Sequence, residues 1–325
     1  MIAMEQWNDF ARDGYLHLGK VLEPGDVEAL KDRADALAMG SVVNPQVVMQ
    51  LDTGGDYASL PGAVSQFESG TRLYRKIQGL EHDDLYIKLV KHPVFVEACA
   101  AQYGRHAAIS VFRAMIMNKP AGQGTYLPWH QDGGDVWGLD RDPLLTFWVA
   151  LDPATKENGC MDAIPGSHRL GLLSLFGSTV SEENVARHCP PSQVTPLEVP
   201  AGHAVMISNW LIHRSGINPS SIPRRAFTMS CMDARTRNVH NGQQFPVVWG
   251  DTVDRPAPFV GQMQVENTTL RESLASATEY ARSLEAECRR LREELDRRGG
   301  ADAGAGGSRG GLVADLVRRV AGRRR

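Results

Sequence analysis

The chain has 325 residues, of which 42% are hydrophobic and 22% charged, and its net charge at pH 7 is −3. That length holds one large catalytic domain with an appendage, or two small domains, and the composition is that of an ordinary globular protein. So small a charge excludes a global field that would recruit nucleic acid or an anionic membrane; the expected partner is a small-molecule substrate, with no nucleic acid.

The five cysteines, Cys99, Cys160, Cys189, Cys231 and Cys288, are odd in number and scattered, with no CxxC pair. They signal neither a zinc knuckle nor a disulfide framework, and reduced thiols in a cytoplasm are the simpler expectation. The first residues, Met1 to Asp9, carry acids where a secretory leader needs a basic and then an apolar run. No stretch approaches the ~20 apolar residues that span a bilayer.

Residues 4 to about 40 have a helical pattern. Phe10, Tyr15, Leu16 and Leu18 gather around Gly14, and Pro24-Gly25-Asp26 opens a helix with Val27, Leu30, Ala34 and Leu37 on one face. Residues 41–70, rich in Gly, Ser and Pro, are expected to form a loop or lid. A second helical region, about 83–103, carries Leu85, Leu89, Val94, Phe95, Ala98 and Cys99 largely at helical spacing, with Pro93 interrupting or restarting it.

From about 107 to 233 short β-rich runs alternate with turns: 109–117, 144–151, 194–199, 204–208 and 226–232. Pro165-Gly166, Pro200-Ala201-Gly202 and Asn158-Gly159 punctuate them, the last expected as a tight hairpin turn. The pattern predicts a mainly-β sandwich or barrel with the helices packed on its outside.

The C-terminal part changes character. Leu270, Leu274, Ala277, Ala281, Leu284, Cys288, Leu291 and Leu295 alternate spacings of four and three, a heptad seam. A coiled coil is therefore expected over 263–298, with self-association into a homo-oligomer through 267–295; a single helix packing on its own domain is the alternative. A flexible Gly-rich linker, 299–311, follows. The segment 312–325 sets Val313, Leu316, Val317 and Val320 on one helical face beside Arg318, Arg319 and Arg323 to Arg325. It is expected to be a basic amphipathic tail making weak membrane-surface or partner contact, or else to be disordered.

The chemistry concentrates in Trp129-His130-Gln131-Asp132 and, far downstream, His213. Side chains at i and i+2 of a strand share a face, so His130 and Asp132 can reach one ion while Gln131 points away. His213 would come from another strand. Two imidazoles and one carboxylate suit Fe(II) and leave positions open for a chelating cosubstrate and dioxygen. Arg224, eleven residues after His213, is placed to hold the far carboxylate of that cosubstrate.

The ordered set of motifs resembles the phytanoyl-CoA dioxygenase (PhyH) family. It comprises the HxD stretch, Leu145 to Asp152, Glu157-Asn158-Gly159-Cys160-Met161, Ile164-Pro165-Gly166-Ser167-His168, His213 to Asn218 ending in Arg224-Arg225-Ala226, and Lys76-Ile77-Gln78-Gly79-Leu80. The resemblance covers about residues 5 to 240 and leaves out the seam and tail. It implies a double-stranded β-helix (jelly roll, cupin-like) with flanking helices over 1–262, plus a C-terminal helical appendage. It also implies Fe(II), 2-oxoglutarate and O2 as cosubstrate. His130, Asp132 and His213 match the iron ligands, Arg224 the residue that binds the distal carboxylate, and Trp148 and Ser215 match positions lining the cosubstrate pocket. Halogenating relatives lack the ligand carboxylate, so the presence of Asp132 implies hydroxylation or another oxygen-rebound outcome, with release of succinate and CO2; the helical appendage and the Ala-, Arg- and Gly-rich chain favour a small or medium metabolite in a biosynthetic pathway as substrate.

Gln131, Asp135 and Trp137 are expected to border the substrate, and Arg113 either to bind an anionic substrate or to form a structural salt bridge. Arg225 should face away from Arg224, and His168 should be structural. The same site would also serve desaturation, cyclisation or oxidative group removal. A non-catalytic scaffold acting through its coiled coil would be marked by a lost ligand, and all are intact. A zinc hydrolase built on the same triad would leave Arg224 unexplained.

Overall fold

The computed structural model describes residues 1–54, 57, 60–63, 70–173, 178–250 and 290. The chain divides into Met1–Gly261 and Gln262–Arg325. The expected coiled coil, linker and basic tail lie outside the described residues, Arg290 excepted, as do parts of 41–70.

Among the described residues, two antiparallel sheets form the core. The larger runs β1 (Tyr15–Lys20), β10 (His203–Ser208), β6 (Leu145–Ala150), β12 (Arg224–Asp233), β4 (Ile109–Lys119), β3 (Tyr74–Gln78) and β2 (Val48–Leu51), with β13 (Val247–Trp249) also paired to β4. The smaller runs β8 (Ser178–Thr179), β5 (Leu127–Gln131), β11 (His213–Ser215), β7 (Met161–Ala163) and β9 (Thr195–Leu197). The mainly-β expectation holds, and the two sheets make a jelly-roll-like core.

Alternation along the central strands creates two distinct faces. Phe147, Val149, Phe227 and Met229 join one apolar cluster with Val27, Leu30, Ala34 and Leu37 of α2 (Pro24–Ala38). Phe95, Ala98 and Cys99 of α4 (Pro93–Tyr103) belong to the same cluster. Their neighbours Trp148, Ala150 and Ala226 lie in a second cluster with Met161, Ala163, Leu197 and Leu211 of the smaller sheet side. Each fully buried large apolar side chain contributes about 1.5–3 kcal/mol, so docking on the sheet holds these short helices more than their own propensity does. Tyr86, in α3 (Tyr86–Val90), stacks on Phe227 with centroids 5.5 Å apart and donates its hydroxyl to Leu30 O at 2.6 Å.

Three expectations change. Residues 15–20 are a strand, not part of a continuous helix: α1 (Met4–Asp13) ends at Gly14 with φ 80°, and the following segment pairs with β10. Only glycine fits there, because an added Cβ would stand 2.4 Å from His168 Nδ1. Within 41–70, β2 pairs with β3 and extends the larger sheet, so the segment is not simply a loop. Asn158-Gly159 does not close a hairpin; a 3-10 turn at Lys156–Asn158 carries the chain from β6 of the larger sheet to β7 of the smaller one. Asn158 stabilises that crossing by accepting from Thr155 N at 2.8 Å and donating to Pro153 O at 2.7 Å. Pro93 restarts a helix as expected, with His92 as its N-cap.

Cys99, Cys160, Cys189 and Cys231 are free and buried; Cys288 lies outside the described residues. Among the described residues no helix is long and apolar enough to cross a membrane.

Candidate metal centre

β5 and β11 are neighbours in the smaller sheet, and His130 and His213 are direct cross-strand partners. Their ring centroids are 4.0 Å apart. Asp132 follows immediately after β5, with its backbone N–H donating to Asn209 O at 2.7 Å. Its Oδ1 lies 3.9 Å from His130 Nε2. One ligand atom from each of His130, Asp132 and His213 falls within 4.8 Å of the others. The i, i+2 reasoning therefore holds, and pairing of β5 with β11 supplies the distant histidine.

The backbone also sets the state of both rings. His130 Nδ1 lies 2.9 Å from Pro128 O, and His213 Nδ1 lies 2.9 Å from Leu211 O. A carbonyl oxygen only accepts, so each Nδ1 must carry the proton, and Nε2 is the nitrogen that offers a lone pair in the neutral ring. Burial pushes the His130 pKa well below its ordinary value, and His213 beside it pushes the same way. A neutral imidazole with its second nitrogen anchored to a carbonyl is the form that ligates a metal.

Arg224 opens β12 on the face toward the smaller sheet. It is buried, its Nε has no partner in the structure, and its guanidinium carbon stands 5.5 Å over the Trp148 ring. Burial lowers its pKa to about 10. Lys119, opposite Arg224 in register, is also buried, with Nζ donating to Thr125 O at 2.7 Å. A buried guanidinium with an orphaned Nε makes a receptor for an anion, whereas burial and the neighbouring Arg224 push the Lys119 amine well below its ordinary range. Ser215 is buried two residues beyond His213, on the same face of β11. Arg225 points to the other face, as expected, and binds Asp152 through Nε at 2.8 Å and Nη2 at 3.1 Å.

Gln131 requires correction as a substrate neighbour. It is fully buried, and its amide nitrogen donates to Gly171 O at 2.8 Å and Trp210 O at 2.7 Å. Its Oε1 accepts from Leu173 N at 2.7 Å. The carboxamide is occupied in tying backbone segments together on the side away from the two ligands. Asp135 is exposed in the 3-10 turn Asp135–Trp137. Trp137 and Arg113 do come together: the Arg113 guanidinium carbon stands 5.2 Å from the Trp137 ring centroid and 4.6 Å from that of Phe112. The salt bridge that competed with substrate binding for Arg113 is not found among the described residues.

Lys76 escaped notice as a site residue. It pairs with Met117 of β4, and burial pushes its amine down to about 7, with Arg75 and Arg113 adding to the shift and Asp132 opposing it. The sequence signal was present: Ile77 is buried on the helix-covered face, and a strand then turns Lys76 the other way.

Residues 10–226 match the phytanoyl-CoA dioxygenase (PhyH) family profile. The chain belongs to this family. Among relatives, phytanoyl-CoA dioxygenase 1 of Oryza sativa subsp. japonica is 29% identical over 251 residues, covering 70% of this chain and 88% of that protein. L-proline trans-4-hydroxylase of Streptomyces griseoviridis is 25% identical over 236 residues, covering 65% and 80%. The fold is shared with EctD from S. alaskensis with bound Fe, at TM-score 0.54 and 21% identity over 78% of this chain and 82% of that one. It is also shared with the epimerase SnoN in complex with Fe3+, alpha ketoglutarate and nogalamycin RO, at TM-score 0.54 and 19% identity over 78% and 94%.

Proposed function

We propose that this family member is an Fe(II)- and 2-oxoglutarate-dependent dioxygenase that hydroxylates a small or medium metabolite in a biosynthetic pathway, with release of succinate and CO2. The observation that carries it is the anchoring of both Nδ1 atoms to carbonyls, which leaves two Nε2 lone pairs and the Asp132 carboxylate converging on one point. That donor set suits Fe(II) and leaves one side of the ion open. Bound Fe(II), with 2-oxoglutarate and O2, supplies oxidation of a substrate C–H bond coupled to decarboxylation of the cosubstrate.

The chain's own residues do the positioning. His130, Asp132 and His213 hold the metal. Arg224 receives the distal carboxylate of 2-oxoglutarate, the partner its orphaned Nε lacks; Trp148 packs beneath that guanidinium, and the Ser215 hydroxyl lies on the wall shared with His213. Burial of His130, His213, Arg224, Trp148 and Ser215 excludes water and strengthens their contacts. The presence of Asp132 favours hydroxylation; desaturation, cyclisation or oxidative group removal would use the same residues. The biosynthetic setting draws support from fold relatives such as SnoN from nogalamycin biosynthesis.

The catalytic domain is proposed to span 1–262, with self-association through 267–295 and weak surface contact through 312–325. Truncation after Val265 should lower the solution mass from oligomer to monomer; equal monomer masses for both forms would remove the coiled coil.

The test of the chemistry is succinate release from 2-oxoglutarate by anaerobically Fe(II)-loaded protein on admitting O2, with His130→Ala as control. Turnover lost in the variant supports the oxygenase. Absence of both iron and 2-oxoglutarate binding would leave the non-catalytic scaffold in its place.

A further inference from the structure

We propose that the substrate of this site carries an oxyanion, a carboxylate or a phosphate, and that Arg113 is the residue that selects it. This rests on the dioxygenase proposal above and names the substrate class for it.

The placement of Arg113 begins with an irregularity in the sheet. Met229 of β12 pairs with Ala114, but Cys231 pairs with Val111. Phe112 and Arg113 therefore share the single residue Ser230 as their opposite number, which makes a β-bulge in an interior strand. A bulge sacrifices ladder regularity and re-aims a side chain, and bulges concentrate beside active sites for that reason. Here the re-aimed guanidinium lies against two aromatic rings, Phe112 and Trp137. Those rings are themselves packed together with centroids 5.0 Å apart, and Phe245 meets Phe112 edge-on at 5.6 Å. Stacking fixes the plane of a guanidinium and leaves its edge N–H groups to bind a planar or tetrahedral oxyanion.

Other arginines in the fold find protein carboxylates: Arg33 meets Asp83 at 2.9 Å, Arg214 meets Asp162 at 3.0 Å and Arg225 meets Asp152 at 2.8 Å. Among the described residues Arg113 has no such partner. Half-buried, it is pushed down by burial, and the groups that favour its charge are Asp132 and Tyr57. Asp132 is committed to the metal centre.

Arg113 is separate from the cosubstrate receptor along the strand. Arg224 and Ser230 are six residues apart on β12, about 20 Å at ~3.3 Å per residue. With the two arginines so far apart along the sheet, Arg113 is left for a different anion.

The test uses the full chain loaded with Mn(II) and 2-oxoglutarate, which permits binding without turnover. Hexanoate, hexyl phosphate and hexanamide are titrated as matched probes, read by paramagnetic relaxation of their protons. At least one anion should bind about tenfold or more tighter than hexanamide, the strength of a charge-assisted contact. Hexanoate against hexyl phosphate then separates the two sources. Arg113→Gln should abolish the preference and Arg113→Lys should restore part of it, while 2-oxoglutarate affinity stays unchanged. Should the glutamine variant fail to fold, Trp137→Leu, which removes one backing ring, is expected to weaken the preference. Hexanamide binding as tightly as both anions, or a preference that survives Arg113→Gln, would overturn the proposal. Failure of the wild type to bind 2-oxoglutarate at all would instead overturn the dioxygenase proposal on which it stands.

Discussion

The two faces of the larger sheet treat charge in opposite ways. On the helix-covered face, Arg225 is held by Asp152 through two contacts and by Asp35 at 3.3 Å, and Arg72 meets the same Asp35 at 3.0 Å. These charges have protein partners, and the surrounding core is apolar. One residue earlier on the same strand, Arg224 faces the smaller sheet, buried and with its Nε orphaned. An unpaired buried charge destabilises a fold. Its presence sets this face, where such a local cost is tolerated, apart from the other, where the charges are paired.

Removing a metal ligand should break this contrast most sharply. His213→Ala is expected to lower succinate formation by more than ~100-fold, exceeding what loss of a supporting contact does. Thermal stability of the metal-free protein should be little reduced; if activity persisted, the triad would not be the centre.

The arginine pair gives the next largest effects, and they should separate cleanly. Arg224→Met is expected to weaken 2-oxoglutarate binding by ~10- to 100-fold, the loss of a charge-assisted contact, without loss of stability. Arg225→Met should leave that affinity alone and lower unfolding free energy by about 3 kcal/mol, because Asp152 is left buried without its main partner. Titration of 2-oxoglutarate and urea unfolding on both variants checks the pair; identical behaviour of the two would erase the distinction between the faces.

Gln131→Leu should behave like the stabilising face despite its position between two ligands. It deserts two carbonyls and one N–H, so a loss of about 1–3 kcal/mol is expected by urea unfolding. A change in substrate preference with unchanged stability would restore Gln131 to the substrate wall.

The smallest effect is on pH. Folded His130 stays neutral because burial depresses its pKa, whereas in the unfolded chain it takes up a proton near pH ~6.5. The unfolded state then binds more protons, so stability of the metal-free protein falls as pH drops below about 6.5, by at most about 1.4 kcal/mol per pH unit from this group. Urea midpoints at pH 7.5 and 5.5 should converge for His130→Asn relative to wild type; an equal drop in both would exclude His130 as the source.

Much of the site was legible before the fold. His130 and Asp132 share a face in any strand, and the family motifs singled out His213 and Arg224 as their partners. Lys76 and the fate of Gln131 were harder. A lysine in a short strand looks like solvent-facing charge until the neighbouring strand covers it, and a glutamine beside two ligands shows its direction only when Gly171, Leu173 and Trp210 arrive around it. The strand at 15–20 was hidden for a similar reason, since its pairing with β10 spans nearly the whole β-domain.

The sequence alone therefore determined the donor chemistry, the alternation that puts His130 and Asp132 together, the family, and the predominance of β-structure, because residue type and period are local properties. Tertiary structure alone decided which nitrogen of each imidazole is free, which arginine finds a carboxylate, and where the bulge turns Arg113. Each of those depends on a backbone carbonyl or a neighbouring strand whose position exists only after the sheets have formed.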